Sequence, residues 1–556
     1  MQIGPSPQPT LPSASADPSA RAARIAQRRD EYRYDFSYHG VCAIASLPLR
    51  EEFSPAYIAK GAEVSTRLGS NRAAAVVEKA PLGVGSALGV ESDPYARWKR
   101  MFPLLDEPAS VSRWTHDWHF AWQRLAGSAP ILLARDQGFA SSIAIDPAVI
   151  RAALGRDATL ASLAAEQRLF TADYALFDGV PGGETDGARK YLFAPKVLFV
   201  ANANVAGGLA PLAIQCDRRG GASSLYTPAD NDWGLAKFAA QVAEANYQGV
   251  LVHMGYCHEV IQRFVLAMHR QLSEEHPLAV LLAPHCEFTL AVNYVARTSV
   301  LAPDKTQDRL LAPALESQLA LLVEGVRALD IDSLDPRIEF ARRGVDASSA
   351  LREYPFRDDG LLVWDAIERF VRGYVTTYYT SDDAVRADGE LAAFVREVGA
   401  DDGGRLPNMF ARFEVKTIDA LVALFARIVF RATAFHAAIN NENYDQIAFA
   451  PAASTASFAG LPPRKTESAS FLRSMLPPDD LCFEAISATW QVLALAMNRL
   501  GEYPSKHFVD PRVEPLVDAF RTELAAIEAK VSERNSARPM PYVRLLPSRI
   551  NASITA

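Results

Sequence analysis

Cysteine is scarce in this chain: Cys42, Cys216, Cys257, Cys286 and Cys482 are widely spaced, odd in number and include no CxxC pair. That argues against a zinc ribbon and a disulfide framework, and it suits a reducing compartment. Basic charge is not in excess either. The formal net charge is -8, whereas a duplex binder carries a basic face, so nucleic acid is not an expected partner. Long apolar runs are also missing, since Arg, Asn or Asp breaks each one before the roughly 20 residues of a membrane span. The opening MQIGPSPQPTLPSASADPSARAARIAQRRDEY has no apolar segment ahead of its basic run. Neither a transmembrane helix nor a standard secretory signal is expected, which points to the cytoplasm.

What is present is the makings of a large core: 49% hydrophobic and 22% charged residues, the balance of a globular protein. Residues 1–19 are rich in Pro, Ser and Ala and are expected to be disordered. From Pro18, SARAARIAQRRDEYRYDF reads as a basic, partly amphipathic helix. Its plain reading is a surface helix packed on the core; the sharper ones are a lid over a substrate entrance or a membrane-touching helix. PKVLFVANAN alternates and is β-branched, Gly207-Gly208 follows as a turn, and LAPLAIQC reads as the returning strand. Nearly everything after Trp233 reads as helix, and Trp233 to His269 contains no proline. A further helix opens at Thr417, a good N-cap with Asp419 in the first turn, and is apolar on most of its circumference. No repeat or linker divides the rest. The expected fold is mainly α: one large helical domain over residues 20–556 with a small β-hairpin or sheet subregion.

Three histidines stand on two helices expected to be buried. His436 and Asn440 are four residues apart, which places them on one helical face. His253 and His258 are five apart and would point about 140° away from each other on a regular α-helix. A π-type bulge would return them to one side, and such bulges concentrate at functional sites. Imidazoles and an amide oxygen with few thiolates favour iron or manganese over structural zinc. Taken alone, each histidine is more often a hydrogen-bonded structural residue than a ligand, and Cys257 would face away from His253.

At these residues the sequence resembles the lipoxygenases. That family's histidine signature spaces five histidines by four, four, seventeen and eight residues. His253, His258, His276 and His285 match its last four members, and Gln248 stands at the first. FTADYALFDG, RKYLFAPKVLFV, PLAIQC, YTPADNDWGLAK, HAAIN and PYVRLLPSRINASITA are similar to family segments in the family's order. The resemblance covers residue 30 to the end. It implies a non-haem iron held by His253, His258 and His436, with Asn440 as a weak or distant fourth ligand. The carboxylate of Ala556 would be the fifth, on a tail folded inward. Manganese is the less expected metal. His276 and His285 are expected to pack and hydrogen-bond, not to ligate.

The activity implied is a dioxygenase acting on a polyunsaturated fatty acid and molecular oxygen. Ferric hydroxide would abstract the bis-allylic hydrogen of a 1,4-pentadiene, and an S-hydroperoxide would form. Ala296 stands at the family's stereochemistry switch, where alanine resembles the S-specific enzymes and glycine would imply R. Val300 stands where a leucine usually presses on the reactive carbon. Linoleate attacked at carbon 13, or arachidonate at carbon 15, is the expectation, from a monomer with possible transient contact with a membrane surface. The β-barrel module of many relatives is not expected ahead of the matched region. Three departures qualify the picture: the last residue is alanine where the family has isoleucine, and Gly249 and Asn443 replace glutamines of the outer shell. The two outer-shell changes favour one alternative, a lipid-binding or hydroperoxide-isomerising relative with weak dioxygenase activity.

Overall fold

The structure, a computed structural model, describes residues 7–87, 93–464, 466 and 468–556. Helix accounts for 55% of it and strand for 7%, against roughly a third helix in an ordinary globular protein. The proline-free stretch from Trp233 forms one rod. An α-helical part, Trp233–Tyr247, passes into a π-helical part, Gln248–Glu259, and back to α-helix over Val260–Gln271, with right-handed helical dihedrals at both joints. Its residues are buried on nearly every side, as befits a helix apolar around its circumference.

The second rod is built the same way. The Thr417 hydroxyl accepts the Ala420 N–H at 3.1 Å and caps an α-helix over Ile418–Phe430. A π-helical turn, Arg431–Phe435, follows, and then α-helix over His436–Asn440. The N-cap at Thr417 was legible in the sequence; this second π turn was not. The helix Pro355–Tyr378 packs along the rod's first part.

The expected hairpin is the centre of a five-stranded antiparallel sheet. Its spatial order follows the chain: Ala134–Arg135, Leu169–Asp173, Lys196–Ala201, Leu209–Gln215 and Leu225–Tyr226. Leu198 faces Ala213, and the register slips between Leu198 and Phe199. At the turn Gly207 has φ +76, and a Cβ there would come within 2.8 Å of the Trp122 ring. Backbone sign and space both demand glycine.

Composition predicts disorder over 1–19, but only 1–6 lie outside the described residues. From residue 7 the chain is held against the body instead: the Thr10 N–H donates to the Glu275 carbonyl at 2.7 Å, and Leu11 packs on the main core. Composition does not register partners more than 250 residues away. The helix Pro18–Glu31 buries Arg21, Ile25 and Arg28, with Arg21 paired to Glu390 at 2.5 Å. It packs on Val260–Gln271 and contributes nothing to the cavity described below. The next long helix, Pro55–Ala87, does reach that cavity, through Tyr57. Among the described residues no single helix is long and apolar enough to cross a membrane.

Candidate metal centre

The two π-helical turns explain how the histidines meet. In the first, five residues bring His253 and His258 back to one side, with ring centroids 4.7 Å apart. The second turn delivers His436 to the same point, its ring 5.4 Å from His253 and 5.3 Å from His258. One nitrogen from each imidazole lies within 4.8 Å of the other two. Nε2 of His258 and Nε2 of His253 are 3.1 Å apart. Imidazole binds first-row metals at about 2.0–2.1 Å, so two nitrogens on one ion stand about 3.0–3.4 Å apart. The separation fits one shared ion.

The donor atoms are also in the right chemical state. Nδ1–H of His258 donates to Oδ1 of Asn293 at 2.7 Å, which leaves the lone pair of Nε2 facing inward. Burial depresses the pKa of all three imidazoles. It brings His258 to about 4, and neighbouring imidazoles push His253 and His436 further down. Neutral imidazole is the form that binds a metal. Nε2 of His436 and Oδ1 of Asn440 are buried without a well-formed hydrogen bond, although the Ala556 backbone approaches His436 and the Asn440 side chain approaches His253. Such orphaned acceptors are costly unless something else fills the role. Asn440 is oriented for it: its NH2 donates to Val492 O at 3.0 Å and to Asn441 Oδ1 at 3.1 Å, which leaves the oxygen on the side of His253.

The tail closes the site. Asn551 to Thr555 are buried, and Ala556 lines the same cavity as His253 and His258. The tail is fixed by a chain of bonds. The Ala552 N–H donates to Asn498 O at 2.9 Å, and His285 Nδ1 lies 2.9 Å from Ala552 O. The Ser553 hydroxyl donates to Glu287 O at 2.9 Å, and the Tyr57 hydroxyl to Thr555 O at 2.7 Å. His285 is therefore a tail anchor. His276 caps the helix Pro277–Leu282 and lies 2.9 Å from Asp388. Neither belongs to the histidine trio.

The cavity has a volume of about 380 Å³, within the range of small-molecule sites. Its wall is largely apolar, and Ala296 and Val300 lie on it with Val292 and Val295, at the end of the helix Thr289–Ser299. Gln248, Gly249 and Asn443 line it too. At Gly249 a Cβ would meet both Leu311 methyl carbons at 3.4 Å, so leucine fills the space beside it. The Asn443 oxygen is buried without a partner.

Sequence reasoning missed two positioning residues. Asn293 carried a weak signal, a lone amide in the apolar run LAVNYV. Tyr57 carried none, being about 500 residues from the backbone it holds.

Known proteins agree with this geometry. The Lipoxygenase family profile matches residues 102–542. A linoleate 9/13-lipoxygenase of Pseudomonas aeruginosa is 34% identical over 84% of this chain and 70% of that protein. The polyunsaturated fatty acid lipoxygenase ALOX15B of Homo sapiens is 30% identical over 82% of this chain and 68% of its own length. The hydroperoxide isomerase ALOXE3 of Homo sapiens is 30% identical over 80% of this chain and 63% of its own. An anaerobic crystal structure of a lipoxygenase deletion variant in complex with arachidonate superposes with a TM-score of 0.87 at 25% identity, over 99% of this chain and 84% of that one. With the profile over most of its length and the histidine trio in place, the chain belongs to the lipoxygenase family.

Proposed function

We propose that this protein is a non-haem iron dioxygenase that adds molecular oxygen to a polyunsaturated fatty acid bearing a 1,4-pentadiene, releasing an S-hydroperoxide. Family members generally carry non-haem iron. The observation that carries the reading is the convergence of three neutral imidazoles, two of which, His253 and His258, line a largely apolar cavity. His253, His258 and His436 would hold the iron, with Oδ1 of Asn440 as a weak fourth donor and the α-carboxylate of Ala556 as the anionic one. When bound, the iron supplies the one-electron chemistry that removes the bis-allylic hydrogen.

The chain's own residues do the rest. The apolar wall takes the acyl chain out of water and holds one methylene beside the metal. Ala296 and Val300 limit where oxygen reaches the pentadienyl radical, and alanine at 296 is the basis for S. Phe53 and Tyr57 form part of the cavity wall, and residues 20–556 act as one catalytic domain. Iron-loaded protein mixed with linoleate should raise the ultraviolet absorbance of a conjugated diene. No rise, with iron bound, would sink the reading. Chiral chromatography should give mainly S product, and Ala296→Gly should shift it toward R; an unchanged ratio would remove Ala296 from that role.

A second reading, hydroperoxide isomerisation, draws on the likeness to ALOXE3 and on the unpartnered Oδ1 of Asn443, which lines the cavity with Gly249. It requires the opposite result: loss of diene from an added fatty-acid hydroperoxide and no diene from linoleate.

A further inference from the structure

A second cavity, of about 180 Å³, lies behind the histidine rods. Tyr247 and Tyr256 reach it from the first rod, and Arg431 from the second. Arg343, Glu339 and Phe340 complete the part of the wall that matters here. Its volume is far above the roughly 10–15 Å³ one water requires.

The charges on this wall do not balance. Arg431 is 5% exposed, yet no carboxylate among the described residues lies within ion-pair distance of it. Its guanidinium donates to Ser333 O at 2.7 Å and sits 3.8 Å from the Phe435 ring, while Nε has no partner. Burial pulls its pKa below the usual value, and Cys257, Glu339 and Tyr256 nearby offset this only in part. Arg343 donates through Nη1 to Leu133 O at 2.7 Å, and its Nε and Nη2 are buried without partners. The acid on the wall, Glu339, accepts from a third guanidinium, Arg342, at 2.8 Å; it also faces Arg343 and Arg431, without an ion-pair contact to either. Buried charges are ordinarily paired, and a guanidinium presents a fork of donors suited to two oxygens of one anion.

We propose that this cavity binds a small organic carboxylate, its oxygens between Arg343 and Arg431 and its apolar body against Tyr247, Tyr256 and Phe340. The aromatic wall favours a carboxylate with a short hydrocarbon part over inorganic phosphate. A bound anion there would tie together the two rods that carry the histidines, so the site is placed to brace the metal scaffold from behind. The binding is independent of the proposed reaction, because it uses neither the substrate cavity nor the histidines.

Calorimetric titration of the full, iron-loaded chain with propionate in a chloride-poor buffer tests this. Expected is saturable binding at about 1 mM or tighter, with a rise in melting temperature as propionate is added. Propionamide, of the same shape without the charge, should produce neither. Arg431→Met should weaken propionate binding at least about tenfold, through loss of the charge-assisted contacts, and Arg343→Gln carries the same test should the first variant fail to fold. Absence of saturable binding, equal binding of propionamide, or unchanged affinity in both variants would overturn the site. Phosphate binding more tightly than propionate would overturn the carboxylate assignment.

Discussion

His258 can serve as an inward-facing ligand because of a residue that never touches the proposed ion. The Asn293 oxygen holds the proton on Nδ1, and the Asn293 NH2 donates back to the His258 carbonyl at 3.1 Å, so ring and backbone are clamped together. Replacing this amide with leucine keeps the bulk but leaves the ring free to turn and change tautomer. Asn293→Leu should therefore lower iron affinity by about 10–100-fold, the usual effect of losing an outer-shell partner. Elemental analysis after dialysis against a graded series of chelator concentrations reads this directly; full iron retention would show that packing alone orients the ring. At the same scale, Asn440 needs no carboxylate partner to be aimed: its two donors are tied elsewhere and its oxygen is what remains.

At the scale of elements, the π-helical turn Gln248–Glu259 is closely packed by its neighbours. The helix Leu315–Ala328 runs alongside, and contact is closest where the rod has glycine. A Cβ on Gly255 would meet Val326 at 3.3 Å and Leu322 at 3.4 Å, and a Cβ on Gly325 would come within 2.5 Å of a Leu251 methyl. The two helices approach through their glycines. Gly255→Leu should overpack this seam and cost about 1–3 kcal/mol, seen as a lower denaturant midpoint with an unchanged slope. An unaltered midpoint would mean the seam has slack. The terminal tail is the other element under constraint. Exposed ends normally fray, and this one is fixed by bonds to Asn498, Glu287, His285 and Tyr57.

At the scale of the whole molecule, the histidines set an acid limit on stability. Burial depresses the pKa of His119 to about 3 and of His258 and His285 to about 4, and it also lowers those of His253, His269, His436 and His507. Each is neutral in the folded protein and ordinary in the unfolded one, where the value is about 6.5. Above about pH 7 both states are unprotonated and nothing is lost. As pH falls below 6.5 the unfolded chain takes up protons that the native core refuses, and stability falls with each step until the folded values are reached. The iron-free protein should thus have a melting temperature that is level above pH 7 and drops steeply between about 6.5 and 4. Scanning calorimetry across that range checks it, and a level curve down to pH 5 would contradict it.

Much of this protein was written in residue order. The two rods follow from long proline-free apolar stretches and the cap at Thr417, the hairpin from β-branched alternation around Gly207-Gly208, and the histidine spacings from the signature around His253. The five-residue step between His253 and His258 even required a π-helical turn, because a regular α-helix would have parted the rings. These features are local: they depend on dihedral preferences and on periodicity within a few turns. The remainder depends on contacts between residues hundreds of positions apart. The clamp of Asn293 on His258, the hold of Tyr57 on Thr555, the anchoring of residues 7–19 and the unpaired guanidiniums of Arg343 and Arg431 were invisible to composition or period. Only packing sets which polar atoms share a buried space and which are left without a partner.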